Sequence, residues 1–548
     1  MDYDRTQARN FQSEHNNNVL NNDCMRKRML LRGEVDLEEA LESEEDMRLA
    51  LQYPLKMGEF YKEMAERSEE IQELVASHFG LKRNESAKIT VGKPFSADNK
   101  EIWQHGSFNL CIRVSTEVKG LPRWLAFRVP LPFKLGDKTA EGKGNCEEKL
   151  RSEAATHIWI REHCPDIPTA KLKGFGLPGG LSFFESKYLS FWLRIKTSIW
   201  RVCSYLLRGS RFCEYIPQRR STFLEHGYII TDWIENQDER LLSSRTLTPE
   251  QTCNLYRSMS QIMLSLSRVS QPRIGSWTIN DHGQISLSGR PCMLHLFELE
   301  NAGIPTHIKR NITYTNADSF YLDMLSCHNK RFEIHPNVAQ DRVDAQGVAS
   351  DLVMMQILFP QFIDRRLRNG PFLMRLTDVH PSNVFVDKEG KVSHIIDLEW
   401  ACSLPLTYQL PPLRLFGEFP ESPDDPNYEA FWTAYNEFVA IFQQEEQSRG
   451  LLDDNGIAYS QASMMKEAFE TGRISYLYAL QNPLGLFNIV RCQLKGFFDE
   501  VPKEQLNSTL SRFWTGNMGE FMSKKLEQFE TYKQEVISIF NSDRSLFI

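Results

Sequence analysis

One stretch of the chain, residues 373–405, constrains the fold most, because polar residues interrupt its apolar runs at particular positions. The runs at 383–387 and 393–397 flank five residues that include a glycine, which predicts a β-hairpin with a short loop. If the two runs pair from end to end, Asn383 and Asp397 lie side by side at the open end of the hairpin. The sequence therefore predicts an amide and a carboxylate that meet at one edge of a hairpin.

These side chains have a chemistry in common. Amide and carboxylate oxygens are hard ligands that Mg²⁺ takes together with phosphate oxygens and water. Asp378 lies five residues before Asn383, in the loop that enters the same end, where it can meet a substrate hydroxyl. The D-x-x-x-x-N…D spacing is that of phosphoryl transfer on a kinase fold. The alternative is a surface loop whose Asp and Asn cap turns.

The same residues carry a family resemblance. LTDVHPSNVFVD…IIDLEWA resembles the H-x-D-x-H-x-x-N…I-D-x-E signature of the aminoglycoside phosphotransferase-like and choline-kinase-like families. GSFNLCIRV…LAFRVP resembles the nucleotide-loop and third-strand region of the same group, and the chain resembles most the fungal phosphotransferase-family proteins. The resemblance runs from Ile89 to Phe540. It implies a protein-kinase-like fold that uses ATP and Mg²⁺.

The resemblance also implies roles for the hairpin residues. Asp378 would be the catalytic aspartate, and Asn383 and Asp397 would be the magnesium ligands. Glu399 would support the metal or the loop, whereas His380 is interpreted as a packing and hydrogen-bonding histidine.

The resemblance also implies which residues bind the nucleotide. A small turn lets backbone N–H groups approach phosphate oxygens, although a plain hairpin turn explains the same residues. The connector between the lobes would bond adenine through its backbone. The implied residues are Gly106, Ser107 and Asn109 of the turn, Arg128 of the third strand, Glu153 of the following helix, and Asp232, Trp233 and Ile234 of the connector. The turn also contains Phe108.

Two positions depart from the family pattern. Arg128 stands where these kinases usually have lysine, and arginine keeps the charge but is bulkier and forked. Its helix partner is expected to be Glu153, with Glu147 or Glu148 as alternatives, and a structural ion pair between strand and helix is the other interpretation. Leu376 replaces the histidine that many relatives have two residues before the catalytic aspartate.

The order of elements predicts an α+β fold with two lobes. Strands, a turn and a helix between residues 102 and 162 precede a long helical region, which indicates a small β-rich N-lobe and a larger helical C-lobe. We expect an acidic, disordered or loosely helical extension at 1–60, an N-lobe at 61–235, and a C-lobe at 236–548. The N-lobe includes an amphipathic lead-in helix from Tyr61 to Phe79 and a basic insertion at about 176–225.

The most basic part of the insertion is residues 191–220, which hold seven bases and one acid with aromatic residues between them. Such a segment suits an anionic membrane surface, a nucleic-acid backbone, or the acidic N-terminal segment. The simpler alternative is that its apolar face packs on its own domain while the arginines face water.

Composition excludes several classes of protein. With 64 basic and 72 acidic residues the net charge is −8, which argues against a chain-wide role in binding nucleic acid. The 11 cysteines are scattered without a C-x-x-C pair, and no signal peptide or transmembrane stretch is recognisable, so we expect a cytoplasmic protein.

The sequence thus predicts an ATP- and Mg²⁺-dependent phosphotransferase that moves the γ-phosphoryl group to a hydroxyl of a small molecule. The alternative is a kinase-like binding or scaffold protein with weak or no catalysis, which the arginine at 128 and the leucine at 376 favour. No motif selects the acceptor or an oligomeric state.

Overall fold

The structure is a computed structural model. It describes residues 27–92, 103–208, 212–220, 224–234, 239–449, 460–495 and 501–542. Among the helices in these ranges, none combines the length and the apolar character needed to cross a bilayer.

The described chain begins with a short folded segment. β1 (Arg28–Met29) pairs with β2 (Glu34–Val35), and α1 (Leu37–Glu42) and α2 (Met47–Ala50) follow. Their apolar side chains pack on the last helix, Met518–Asn541. The buried side chains of the segment are Val35, Leu37, Ala40, Met47 and Ala50.

This arrangement differs from the disordered or loosely helical extension that the acidic composition predicted. The acids of residues 33–48 alternate with apolar residues, and this alternation gives the segment a face to bury. Asp36 and Glu39 also form a reciprocal capping box at the start of α1. The part of the predicted extension at residues 1–26 lies outside the described residues.

The predicted lead-in helix is two helices, α3 (Tyr53–Glu66) and α4 (Ser68–His78). The chain leaves helical geometry at Arg67, with φ −97° and ψ 16°. The apolar faces of both helices pack on one side of a β-sheet and bury residues such as Met64 and Ile71.

The sheet of the N-lobe has eight antiparallel strands in the order β3-β5-β6-β10-β7-β8-β9, with β4 paired to β5. The strands are β3 (Ile89–Val91), β4 (Trp103–His105), β5 (Asn109–Thr116), β6 (Trp124–Pro130), β7 (Leu172–Gly176), β8 (Leu181–Glu185), β9 (Tyr215–Arg219) and β10 (Tyr228–Asp232).

Two helices interrupt this sheet in sequence. α5 (Asn145–His163) joins β6 to β7 and packs on the opposite face of the sheet from α3 and α4 through Leu150, Ala154 and Ile158. α6 (Phe191–Arg208) lies between β8 and β9. The most basic part of the insertion, residues 191–220, therefore contains a helix and an edge strand.

The C-lobe is mainly helical. Its helices are α7 (Pro249–Ser267), α8 (Leu294–Asn301), α9 (Ala317–Ile334), α10 (Arg342–Phe362), α11 (Tyr428–Arg449), α12 (Gln461–Glu470), α13 (Arg473–Gln481), α14 (Leu486–Ile489), α15 (Lys503–Trp514) and α16 (Met518–Asn541). Its short strands are β11 (Arg240–Leu241), β12 (Ser270–Gln271), β13 (Ser276–Ile279), β14 (Ile285–Gly289), β15 (Phe372–Leu376), β16 (Val384–Val386), β17 (Val392–Ile395) and β18 (Ala401–Pro405).

The predicted fold class is confirmed, since a sheet-rich lobe of eight strands precedes a larger helical lobe. The largest core belongs to the helical lobe and extends to Phe108 and Trp159 of the N-lobe. Side chains of β5, β6 and α5 meet the segment that directly follows the hairpin of β16 and β17.

Candidate functional site

The predicted hairpin exists, but its register differs by one residue from the prediction. Val384 pairs with Ile395, and the N–H of Ile396 donates to the carbonyl of Asn383 at 3.0 Å. Asn383 therefore lies opposite Ile396 and not opposite Asp397. At the loop end Val386 pairs with Val392, which is two residues from the predicted register, and a β-bulge at Ser393 restores one of the two.

Asp397 follows the hairpin in an unusual backbone conformation. Its φ is +63°, in the left-handed region that residues other than glycine adopt rarely. This turn directs the side chain toward the N-lobe, where Nη2 of Arg128 donates to Oδ1 of Asp397 at 2.7 Å. Asp378 and Asp397 line one small cavity. The two aspartates predicted for catalysis and for metal binding thus face the same space.

A buried set of charged groups joins the lobes at this point, and we call it the ionic cluster. Arg128 on β6 contacts Glu153 on α5 as well as Asp397. Of the three acids considered as partners, Glu153 is the one that Arg128 meets, whereas Glu147 pairs with Arg151 and Glu148 with Arg290. The cluster consists of Asn109, Arg128, Lys149, Glu153, Asp397 and Glu399.

Lys149 is a member that sequence reasoning missed. It lies on α5 one turn before Glu153, its side chain is fully buried, and Nζ lies 2.5 Å from Glu399. Nζ also donates to Oδ1 of Asn109 at 2.7 Å, and Nδ2 of Asn109 donates to Glu399 at 2.6 Å. A lysine four residues before the helix glutamate, on the same helical face, is the signal that could have identified it.

The cluster contains three carboxylates, from Glu153, Asp397 and Glu399, whose oxygens lie within 4.8 Å of one another. Burial tends to raise the pKa of Asp397, but Arg128 and Lys149 outweigh burial and lower it below its usual value. Burial and the charge of Asp397 raise the pKa of Glu399 to about 8. Asp397 is therefore an anion at neutral pH, whereas burial and the charge of Asp397 disfavour the anionic form of Glu399.

Asp378 lies in the loop after β15, close to a second arginine that the sequence did not indicate. Nη1 of Arg414 donates to Oδ1 of Asp378 at 2.5 Å, and Nε2 of His380 lies 3.8 Å from Oδ2. Burial raises the pKa of Asp378 although Arg414 and His380 oppose this change. Nδ1 of His380 accepts from the N–H of Ser382, which agrees with a structural role for this histidine.

Asn383 fixes the same loop from inside. Its side chain is buried, and Nδ2 donates to the backbone carbonyl of Asp378 at 3.1 Å. This bond leaves Oδ1 as the atom of the amide that can bind a cation. Asn383 and Asp397 therefore retain the donor atoms that a magnesium site requires, although one oxygen of Asp397 is bonded to Arg128.

The predicted phosphate turn links β4 to β5. The N–H of Gly106 donates to the carbonyl of Asn109 at 2.9 Å and closes the turn, while Gly106 and Ser107 are exposed. Phe108 is buried against Trp400, with ring centroids 5.3 Å apart. The turn is thus anchored beside the ionic cluster through Phe108 and Asn109.

The predicted adenine connector lies further along β10. Arg128 pairs with Ile229, so Asp232 is about 10 Å away along the strand at 3.3 Å per residue. The N–H of Asp232 donates to Lys171, the N–H of Trp233 donates to Trp124, and the carboxylate of Asp232 pairs with Lys173 at 2.9 Å. Two backbone donors of the connector are therefore already bonded, and Ile234 is the remaining candidate.

Comparisons with known proteins give remote structural likenesses. No family model and no curated protein matches the sequence. An ethanolamine kinase from Plasmodium vivax is 10% identical over 77% of this chain and 86% of its own, with a TM-score of 0.35. The streptomycin–ATP complex of APH(2")-IIa is 8% identical over 73% of this chain and 95% of its own, with a TM-score of 0.35. The aminoglycoside phosphotransferase APH(4)-Ia with ADP and hygromycin B is 10% identical over 85% of this chain and 98% of its own, with a TM-score of 0.34.

Proposed function

We propose that the protein is an ATP- and Mg²⁺-dependent phosphotransferase that transfers the γ-phosphoryl group to a hydroxyl of a small molecule. The observation that carries this proposal is the ionic cluster next to Asp378. A strand arginine, a helix glutamate and a hairpin aspartate from three separate parts of the chain converge beside a second aspartate. Phosphoryl transfer requires this combination of fixed cations, metal ligands and an acceptor-orienting carboxylate.

The donor set fits a magnesium ion. Asp397 is an anion at neutral pH, and the free Oδ1 of Asn383 is a second hard oxygen ligand. Bound Mg²⁺ would neutralise charge on the nucleotide phosphates. Arg128 competes for the same carboxylate of Asp397, so metal binding and the Arg128 contact are expected to exclude each other at Oδ1.

The nucleotide phosphates need cations from the protein, and the cluster holds two. Arg128 and Lys149 both lie beside Glu153, but the side chain of Lys149 is fully buried, so its charge would act on the phosphates from a distance and Arg128 would contact them. Glu399 and Asn109 hold the ammonium group of Lys149 in place. The exposed turn at Gly106 and Ser107 would cover the phosphates with its backbone N–H groups.

Asp378 would orient the acceptor hydroxyl and accept its proton. Its carboxylate is bonded to Arg414, whose side chain is 56% exposed. A neutral or cationic acceptor must displace this guanidinium, whereas an acceptor with an anionic group can bind to it. Asp378 and Arg414 together therefore define the acceptor side of the proposed site.

A direct test is phosphoryl transfer from γ-labelled ATP to a panel of small hydroxyl compounds that includes amino alcohols, sugars and aminoglycosides. Wild type should label at least one acceptor, and Asp378→Asn should lose at least about 100-fold in turnover while it still binds nucleotide. Asp281→Asn, at an aspartate in an exposed pair, is the matched control and should retain turnover. Equal turnover in wild type and Asp378→Asn would exclude this role for Asp378.

The second candidate is a kinase-like binding protein without turnover. It is favoured by the arginine contacts of both aspartates, Arg128 with Asp397 and Arg414 with Asp378. Nucleotide binding that is accompanied by no phosphoryl transfer to any acceptor would support this candidate.

A further inference from the structure

Helix α6 presents an apolar stripe to solvent. Trp192, Ile199, Val202 and Leu206 are 78%, 60%, 57% and 75% exposed. Together with the half-buried Ile195 they follow the spacing 3, 4, 3 and 4, which places all five on one face of the helix. None of the described α6 side chains belongs to a hydrophobic core of the molecule. The expected packing of this face on its own domain is therefore not found.

The polar side of α6 is the side that meets the protein. Nη2 of Arg201 donates to the backbone carbonyl of Tyr215 at 2.9 Å. Arg201 lies about 180° around the helix from Trp192, at 100° per residue. At the flank, Trp200 contacts Phe212 with ring centroids 4.7 Å apart. The helix is thus held to the N-lobe with its apolar stripe directed outward, the reverse of an ordinary surface helix.

The charge of α6 is strongly one-sided. The helix contains four basic residues and no acid, in a chain whose net charge is −8. The basic residues are Arg194, Lys196, Arg201 and Arg208. Lys196 borders the stripe and, like Arg194, is exposed, so an occupant of the outward face must be apolar at its centre and anionic at its border.

We propose that α6 binds the surface of a bilayer that contains anionic lipids. The 18-residue helix is about 27 Å long at 1.5 Å per residue and would lie in the plane of the interface. Its stripe would enter the boundary between headgroups and acyl chains, and Lys196 beside the stripe would extend its ammonium group to the phosphates. Tryptophan at the end of the stripe suits the same depth.

Other occupants fit the face less well. A second copy of the chain would bring two basic helices together without an acid on either, which is repulsive. The acidic segment at residues 33–48 is already packed, through α1 and α2, on α16. Nucleic acid would bind the arginines but would leave the aliphatic stripe in water.

The test is co-sedimentation of the full-length protein with vesicles of phosphatidylcholine alone or with about 30% phosphatidylserine. Ile199→Asn combined with Val202→Asn removes apolar area without changing the charge. Both side chains are exposed, so urea unfolding midpoints should not change. Val343→Asn on α10, where the side chain is 73% exposed, is the matched control for loss of an exposed apolar residue.

We expect wild type and the Val343 control to bind the anionic vesicles, and the double variant to bind at least about tenfold more weakly. Binding should also fall when the salt concentration rises, because the exposed side chains of Arg194 and Lys196 contribute to it. No binding of wild type to anionic vesicles, or equal binding of the double variant, would overturn the proposal. A wild-type dimer that the double variant dissociates, without vesicle binding, would instead assign the face to a second copy.

Discussion

Arg128 joins the two lobes through a single side chain. It contacts Glu153, whose side chain is 1% exposed, and Asp397 at the end of the hairpin. Substitution Arg128→Met should lower the free energy of unfolding by about 3 kcal/mol, because it leaves the buried carboxylate of Glu153 with only the more distant cation of Lys149, at 3.8 Å. The measurement is urea denaturation at neutral pH.

The control for Arg128 is an exposed pair of the same type. Arg268 and Asp166 are 57% and 48% exposed, so Arg268→Met should change stability by less than about 1 kcal/mol. Equal effects of the two substitutions would show that Arg128 is a surface arginine without a structural task.

The residues that the sequence could identify are those with a motif. Asp378, Asn383 and Asp397 stand in a recognisable spacing, and Arg128 occupies a known strand position. Lys149 and Arg414 carry no motif, and each reaches the site only through the fold: Lys149 meets Glu399 across 250 residues of sequence, and Arg414 meets Asp378 across 36. Such partners depend on tertiary contacts, which a single sequence does not display.

The acidic composition of the N-terminal segment did not predict that it packs on α16, and a substitution in the segment tests this packing. Met47 is 2% exposed and belongs to the cluster that joins this segment to α16. Met47→Ala should cost about 2 to 4 kcal/mol of unfolding free energy through lost burial and a cavity. Thermal and urea unfolding measure this cost.

A disordered segment would tolerate the same change. Val343→Ala, at a side chain that is 73% exposed, is the control and should leave stability within about 0.5 kcal/mol of wild type. If Met47→Ala behaves like this control, the packing of the segment on α16 is not present in solution.

The type of an element was predictable where the periodic pattern of apolar residues extended over many residues. The residues at which an element begins and ends were not predictable. Within the helical C-lobe that the sequence predicted, α15 ends at Trp514 and α16 begins at Met518, because Gly516 and Asn517 favour a break. The predicted hairpin register was wrong because Val386 pairs with Val392 at the loop end, two residues from the prediction, and the bulge residue Ser393 restores only one of the two. The left-handed backbone conformation of Asp397 nevertheless directs its carboxylate toward Arg128.

The whole molecule buries several histidines in the neutral form. Burial lowers the pKa of His78 from 6.5 to about 3. Because the unfolded chain takes up this proton more readily, the contribution of His78 to stability is complete above pH 6.5 and is lost as the pH falls from 6.5 toward 3. At pH 5.5 the loss is about 1 kcal/mol.

The comparison that isolates this effect is wild type against His78→Gln. Burial raises the pKa of Glu298 to about 7, which acts in the opposite sense, so the total pH dependence mixes several groups. The stability difference between the two proteins should shrink by about 1 kcal/mol between pH 7.5 and pH 5.5. A difference that stays constant over this range would show that His78 titrates normally in the folded protein.

Both lobes converge on Asp397, which we propose as a ligand of Mg²⁺. Calorimetric titration of ATP with and without Mg²⁺ tests this role most directly. Asp397→Asn is the variant of choice, since asparagine tolerates the left-handed φ of +63° and removes only the charge. We expect magnesium-dependent ATP binding in wild type and in Asp281→Asn, and its loss in Asp397→Asn. Folded wild type that binds no ATP, or binding that is equal without magnesium or in Asp397→Asn, would contradict it.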